Sequence, residues 1–278
     1  MKIALTLLCR NEGDIIGRNL EFHLRRGVDF IIVTDNASDD DTASIVARYA
    51  RHGRIELIRE QRLTHDQSVW VSEMARRAAR RQADWVINSD ADEFWWSADD
   101  LRTTLANVPA AVPALSVRRH NFPPVRGGPA DFAERMIYRD NPSRNAFGAP
   151  LPEKVIHRGV ANVIVADGNH AVSFAERPVR AQPSQAIEIL HFPMRTFEQF
   201  RSKIVLGAEA LERNGRIAPD VGAHWRHVYR RYYKHGLLPD YFGQNELTQP
   251  AIEQRQRDGT LVIDRRLCDF LALSGAAT

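Results

Sequence analysis

The chain has 278 residues, with 44% hydrophobic and 26% charged residues and a formal net charge of +3. These are the proportions of a globular protein with a real core, in one large or two small domains, and they exclude a disordered or fibrous chain. The weak positive charge suits phosphate-bearing ligands or an anionic membrane surface without requiring nucleic acid. The two cysteines, Cys9 and Cys268, are far apart. They form neither a disulfide framework nor a C-x-x-C site, which points to a reducing cytoplasm. The apolar start, Met1 to Leu8, is short and lacks a basic leader, so it does not read as a signal peptide. No apolar run approaches the roughly 20 residues of a membrane span.

In chain order, Lys2 to Leu8 reads as a buried strand ending in the polar turn Cys9-Arg10-Asn11-Glu12-Gly13. Asp14 is placed to cap a helix carrying Ile15, Ile16, Leu20, Phe22, His23 and Leu24, closed by Gly27. Phe30 to Val33 is a second strand, ending in the acidic loop Thr34 to Thr42. A helix capped by Asp41 or Thr42 and a third strand, Arg54 to Arg59, follow. This βαβαβ order predicts a parallel, doubly wound sheet. Thr64 to Gln82 reads as a long helix with Val69, Trp70, Met74 and Ala78 inward and Arg76, Arg77, Arg80 and Arg81 outward.

Trp85-Val86-Ile87 is then a short apolar strand that breaks into Asn88-Ser89-Asp90-Ala91-Asp92-Glu93-Phe94-Trp95-Trp96. A buried parallel strand ending in carboxylates delivers them to the sheet's carboxyl edge, where α/β proteins place ligands. If the extended conformation continues, Asp90 and Asp92 leave the same face. Two such carboxylates repel unless something positive lies between them. A hard divalent cation, Mg²⁺ or Mn²⁺, is the simplest answer. Trp95 and Trp96 suggest a wall for a flat ligand, with core packing as the competing role.

Asp99 to Asn107 reads as a short helix. Beyond Pro109 the expected strands are Ala114–Arg119, Arg135–Tyr138, Lys154–Arg158, Val160–Ala166 and Ile187–Phe192. Long loops run through Pro123-Pro124, through Gly127-Gly128-Pro129 and through 140–152. A helix is expected over Thr196–Asn214. Another, Ala223–His235, mixes Trp225, Tyr229, Tyr232 and Tyr233 with Arg226, Arg230, Arg231 and Lys234. This segment is expected either to pack on the core or to touch an anionic acceptor or membrane surface.

Three motifs, each at a strand end, carry a family resemblance: Cys9-Arg10-Asn11-Glu12, Asp35-Asn36-Ala37-Ser38-Asp39-Asp40-Asp41-Thr42, and the strand from Trp85 into Asp90-Ala91-Asp92-Glu93-Phe94. Over its first ~95 residues the chain resembles nucleotide-diphospho-sugar glycosyltransferases of the GT-A fold. The likeness is to the family-2-like group, in the branch related to domain of unknown function 23. The resemblance implies an α/β GT-A domain with a mostly parallel central sheet flanked by helices. In that organisation residues 1–110 form the nucleotide-sugar-binding half, 111–215 the acceptor-binding half, and 216–278 a C-terminal helical extension.

It further implies a metal-dependent, inverting hexosyltransferase in surface polysaccharide synthesis. The donor is a nucleotide-diphospho-sugar, expected to be UDP-linked, and the acceptor is a saccharide or a lipid-linked glycan. The protein is expected to be cytoplasmic, with contact at the inner membrane surface as an option and no nucleic-acid partner. Mn²⁺ or Mg²⁺ is implied on Asp90 and Asp92, with His191 as third ligand. Asp35 pairs with the base at N3, or forms an Asx turn. Thr6, Cys9, Arg10 and Glu12 line the base pocket, and Asp90 also meets the ribose. Lys154 and Arg158 hold diphosphate oxygens, or form a surface pair. For the base that deprotonates the acceptor, Asp167 and His170 come first and Glu153 next. A nucleotidyltransferase of similar fold and a non-enzymatic nucleic-acid binder using the basic aromatic segment are the alternatives.

Overall fold

The computed structural model describes residues 1–64, 66–145, 147–214 and 221–273. They divide into two compact units, one of residues 1–119 and 152–189, the other of residues 120–151 and 190–278. The expected 215/216 division falls outside the described residues.

The first unit opens β1 (Ile3–Cys9), α1 (Ile16–Arg25), β2 (Phe30–Asn36), α2 (Thr42–Ala50), β3 (Ile55–Glu60), α3 (Gln67–Arg80) and β4 (Trp85–Asp90). It continues with β5 (Glu93–Ser97), α4 (Leu101–Ala106) and β6 (Ala114–Asn121). The chain then enters the second unit with α5 (Phe132–Arg135) and β7 (Tyr138–Asp140). It returns for β8 (Lys154–Arg158), β9 (Val163–Val165), β10 (Val172–Phe174), β11 (Arg177–Pro178) and β12 (Gln182–His191). The second unit ends with α6 (Phe197–Arg213), α7 (Ala223–Arg231), α8 (Leu238–Asn245), α9 (Gln249–Arg257), β13 (Leu261–Ile263) and α10 (Arg266–Ala272).

The main sheet has the order β3-β2-β1-β4-β8-β6-β12-β5. Its first four strands are parallel. β8 turns antiparallel to both β4 and β6. This is the α/β, GT-A arrangement that the sequence leads one to expect. Because side chains alternate across a strand, Ala4, Ile32 and Val86 share one face. α3 covers them with Val71, Met74, Ala75 and Ala78, joined by Val163, Val165 and Val172 of the small β11-β10-β9 sheet. β1 and β2 are buried along nearly their whole length, as strands covered on both faces are.

Several local expectations are corrected. Asp14 does not cap α1, whose N-cap is Ile15 with no side-chain bond. Asp41 is the N-cap of α2 and its carbonyl accepts from Ile45 N at 2.9 Å, but its side chain makes no cap bond. Asp40 Oδ1 accepts from Thr42 N at 2.9 Å. Val69 is 58% exposed, because the buried stripe of α3 runs through Trp70, Val71, Met74, Ala75 and Ala78. Arg135 ends helix α5, and the strand there starts only at Tyr138. The Asp131 side chain caps that helix by accepting from Ala133 N.

In the second unit, α6, α7 and α8 bury Phe200, Ile204, Ala208, Val228, Tyr229, Leu238 and Phe242 together, with Trp225, Tyr232 and Tyr233 against them. The aromatic residues of the basic segment therefore pack inward. Gly207 makes this possible, since a Cβ there would lie 2.7 Å from the Trp225 ring.

Gly159 ends β8 beside the entry to β4, and a Cβ on it would come 1.8 Å from the Ala83 carbonyl oxygen. Gly159 N also donates to Asp84 O at 3.0 Å. Only a backbone shift relieves such an overlap, at a cost of about 2 kcal/mol or more. Gly159→Ala is therefore expected to lower Tm by roughly 4–8 °C, measured by thermal melting. An unchanged Tm contradicts this packing.

Candidate active site at the carboxyl edge of the sheet

Three parallel strands end together. In register, Cys9 of β1 lies opposite Asp35 of β2, and Leu8 lies opposite Asp90 of β4. β8 runs the other way, so its first residue, Lys154, comes level with the last residues of β4. The strand pairing thus brings Asp35, Asp90 and Lys154 to one edge.

Lys154 is 1% exposed, and its ammonium donates to Asp90 Oδ2 at 2.6 Å. It also lies 3.2 Å from Glu93 Oε1, and Glu93 is fully buried. Arg119 Nη1 approaches the same Glu93 oxygen at 3.5 Å. Glu93 Oε2 accepts from Asp90 N at 3.2 Å, which ties the start of β5 back onto the end of β4. Asn169 Nδ2 reaches Asp90 Oδ1 at 3.4 Å. Asp90 and Glu93 thus stand against Lys154 and Arg119, with Asp92 on the adjoining turn. A side-chain ammonium of the chain itself is shared between Asp90 and Glu93, whereas the sequence leads one to expect a cation between Asp90 and Asp92. Glu93, Arg119 and Asn169 were not singled out from the sequence. The signal for Glu93 was its place two residues before a buried tryptophan and one after a turn, and nothing local marked Arg119.

The extended conformation does not continue past Asp90. The chain turns at Ala91 and Asp92, and β5 begins at Glu93. Asp92 is buried to 1% on that turn. Phe94 and Trp95 are wholly buried. Trp96 lies between Phe22 and the Arg26 guanidinium, 4.6 Å away. The tryptophans are core and its margin, and no ligand wall.

Asp35 is 2% exposed. Its Oδ2 lies 3.6 Å from the exposed Arg59 guanidinium. Its Oδ1 is buried with no hydrogen-bond partner among the described residues. A buried carboxylate oxygen with no donor is costly, and marks a place where a ligand N–H gains a strong bond.

The acidic loop after β2 has a second task. Asn11 N donates to Ser38 Oγ at 2.9 Å, and Asp39 N donates to Asn11 Oδ1 at 3.0 Å. Glu12 N donates to Thr42 Oγ1 at 2.8 Å, and Gly13 N to Asp40 Oδ2 at 2.9 Å. These bonds lace the β1–α1 loop to the β2–α2 loop, and Asn11 adopts φ 54° to allow it. Glu12 and Arg10 lie on this laced loop. Thr6 does not reach the edge, because its hydroxyl is buried mid-sheet and donates to Asn88 Oδ1 at 2.8 Å. Cys9 is buried, and burial first, then Asp35, push its thiol well above the ordinary range.

Arg158 also lies elsewhere. It is at the far end of β8, where it stacks 3.8 Å from the Trp85 ring at the start of β4 and donates to Val112 O at 3.2 Å. His170 Nδ1 donates to Glu153 O at 2.7 Å, and the ring is neutral. Burial first and Lys154 second lower its pKa to about 4. Asp167 Oδ1 accepts from Ser68 N at the first turn of α3, at 3.1 Å. The Glu153 carboxylate lies 3.6 Å from Arg118. His191, in the second unit, has Nδ1 2.7 Å from Asn121 Oδ1. Among the described residues, no group of three or more His, Cys, Asp or Glu side chains is arranged around a metal position. The oxygens of Asp90 and Asp92 fit a hard divalent cation chemically. Two carboxylates with substrate phosphates completing the shell is a common Mg²⁺ arrangement. The arginines of α3 face Glu73 and Glu56, with Arg80–Glu73 at 2.7 Å and Arg81–Glu56 at 3.1 Å.

No protein-family description and no curated protein matches the sequence. Among solved structures, the chain is similar to residues 1–349 of S. aureus TarS in complex with UDP. That likeness has TM-score 0.41 and 14% identity, over 84% of this chain and 73% of that one. It is also similar to glucosyl-3-phosphoglycerate synthase of Mycobacterium tuberculosis with Mn²⁺, UDP and glucosyl-3-phosphoglycerate, at TM-score 0.29 and 18% identity, over 43% and 44%. A third likeness is to a 4-diphosphocytidyl-2C-methyl-D-erythritol synthase, at TM-score 0.32 and 11% identity, over 46% and 65%. Likenesses this distant fix no function.

Removing the ammonium from Glu93 leaves a buried, poorly compensated charge, which costs about 3 kcal/mol. Lys154→Met is expected to lower the urea midpoint accordingly, and adding Glu93→Gln to recover more than half of the loss. Losses that simply add would refute the pairing.

Proposed function

We propose that this protein is a nucleotide-sugar glycosyltransferase whose donor site is the edge formed by the carboxyl ends of β1, β2 and β4 and the amino end of β8. The observation that carries the reading is the buried Oδ1 of Asp35, without a hydrogen-bond partner among the described residues, on the same edge as the Asp90–Lys154–Glu93 cluster. A carboxylate accepts and cannot donate. It therefore selects a base with a ring N–H, which uracil has at N3 and cytosine lacks. Thymine at N3 and guanine at N1 carry the same N–H, so this favours UDP over CDP, leaves dTDP and GDP as alternatives, and is the reason to place the base at Asp35.

Departure of UDP leaves negative charge on the diphosphate, and the neighbouring cluster supplies the opposing charge. Lys154 and Arg119 are its cations, both already oriented by Glu93. Oriented charge in a water-poor site stabilises developing charge without reorganisation. A divalent cation, when bound by Asp90 and Asp92, would add Lewis-acid neutralisation of the same diphosphate. Asp167 and Glu153 are engaged with the helix terminus and Arg118 respectively. We therefore assign the acceptor-side base to His170. Its Nδ1 proton is committed to Glu153 O, so Nε2 carries the lone pair. The low pKa reflects burial and Lys154, and a bound diphosphate would raise it toward neutrality. Attack by a saccharide or lipid-linked hydroxyl, deprotonated at Nε2, inverts the anomeric carbon.

The nucleic-acid reading loses its support, because the arginines of α3 face acidic partners and the aromatic residues of the basic segment are packed inward.

Calorimetric titration with UDP and CDP, each with and without Mn²⁺, tests the proposal. UDP is expected to bind more tightly than CDP. Asp35→Asn should cost UDP about ten-fold or more in affinity, as loss of a charged hydrogen bond does. Equal affinities for the two nucleotides, or unchanged binding in Asp35→Asn, would remove the base from Asp35.

A further inference from the structure

The turn that carries Asp92 is bonded on both sides by one helix residue. Asn19, in the middle of α1, is completely buried. Its amide Nδ2 donates to Ala91 O at 2.9 Å and to Glu93 O at 2.8 Å. Both carbonyls flanking Asp92 are thus held by one NH₂ group, one proton each. Asn19 Oδ1 lies 3.0 Å from His23 Nδ1, one helical turn on, and His23 Nδ1 also reaches Asn19 O at 2.9 Å. His23 Nε2 accepts from Trp95 N at 3.2 Å. Nε2 must therefore carry the lone pair and Nδ1 the proton. That tautomer in turn fixes which end of the Asn19 amide is oxygen.

We propose that Asn19 is a positioning residue: with His23 it sets the conformation of the Ala91–Asp92 turn, and so the placement of the Asp90, Asp92 and Glu93 carboxylates. A buried asparagine in a helix interior is unfavourable on propensity alone, and here every donor of its amide is used on a segment 72 and 74 residues away. The neighbouring imidazole cannot switch the network off in the ordinary pH range, since burial lowers the pKa of His23 to about 3. The arrangement is that of an outer ligand shell, where residues that touch no substrate orient those that do. The proposal rests on the donor-site reading for its effect on ligand binding, and on hydrogen bonds alone for its effect on the turn.

Two measurements on the full chain separate these. Asn19→Ala and the milder Asn19→Ser, which keeps one donor, are followed by amide hydrogen exchange. Exchange over residues 90–94 is expected to rise by about ten-fold or more in Asn19→Ala and less in Asn19→Ser, with β2 and β3 unchanged. The Mn²⁺-dependent part of UDP affinity is expected to fall by roughly 10–100-fold. Met74→Ala, a core change under α3 away from the turn, should leave that part intact. Unchanged exchange over 90–94 in both Asn19 variants overturns the proposal. So does unchanged Mn²⁺-dependent affinity in the variants when the wild type shows it. If the wild type binds no UDP, the donor-site reading falls, and the exchange measurement still decides whether Asn19 holds the turn.

Discussion

The constraint on which the site depends is a buried charge that must be matched. Glu93 is wholly inaccessible and Lys154 nearly so. Neither can be left alone in a medium of low polarity, because an isolated buried ion costs several kcal/mol. β4 and β8 must therefore end side by side, with Lys154 against Glu93 and Asp90, and β6 must bring Arg119 to the same oxygen. An apolar pair of similar volume would fold as well or better. A paired, oriented cluster at a sheet edge is better explained by chemistry done there than by stability.

Around this cluster the fold spends polar groups on fixing loops. Asn11, Ser38, Asp39, Asp40 and Thr42 sew two strand-to-helix loops together. Asn19 and His23 hold the turn after β4 from the side of α1. The loops of the edge are thus bonded down at two places, and the buried Oδ1 of Asp35 lies at the end of β2, level with Cys9 of β1. Such preorganisation is what lets charge stabilise a departing group without first rearranging.

The sheet itself was readable from sequence, because the apolar runs of β1, β2 and β4 are buried on both faces and each ends in a polar break. The strand ends therefore located the edge, and with it Asp35, Asp90 and Lys154. Local pattern failed where a distant partner decides the outcome. Arg158 is two strand positions past the buried Ile156, yet the antiparallel direction of β8 carries it to the opposite edge. Thr6 shares a strand with Cys9 but bonds to Asn88 in mid-sheet. Trp95 and Trp96 look like a ligand wall until Trp95 is seen wholly buried and Phe22 and Arg26 of α1 are placed against Trp96. The acidic loop 34–42 reads as a turn before a helix, and its Asp40 accepts from the backbone amides of Gly13 and Thr42 while Asp39 accepts from the Asn11 side chain. Glu93, Arg119 and Asn19 matter through contacts across dozens of residues, and no spacing rule within one segment reveals those.

A crystal structure of the protein grown with UDP and Mn²⁺ tests the central claim most directly. The expected result is uracil N3 donating to Asp35 Oδ1, with the diphosphate at the Asp90–Lys154 edge. UDP bound elsewhere, or an edge whose Lys154–Glu93 and Asp35 surroundings are untouched by saturating nucleotide, would contradict it.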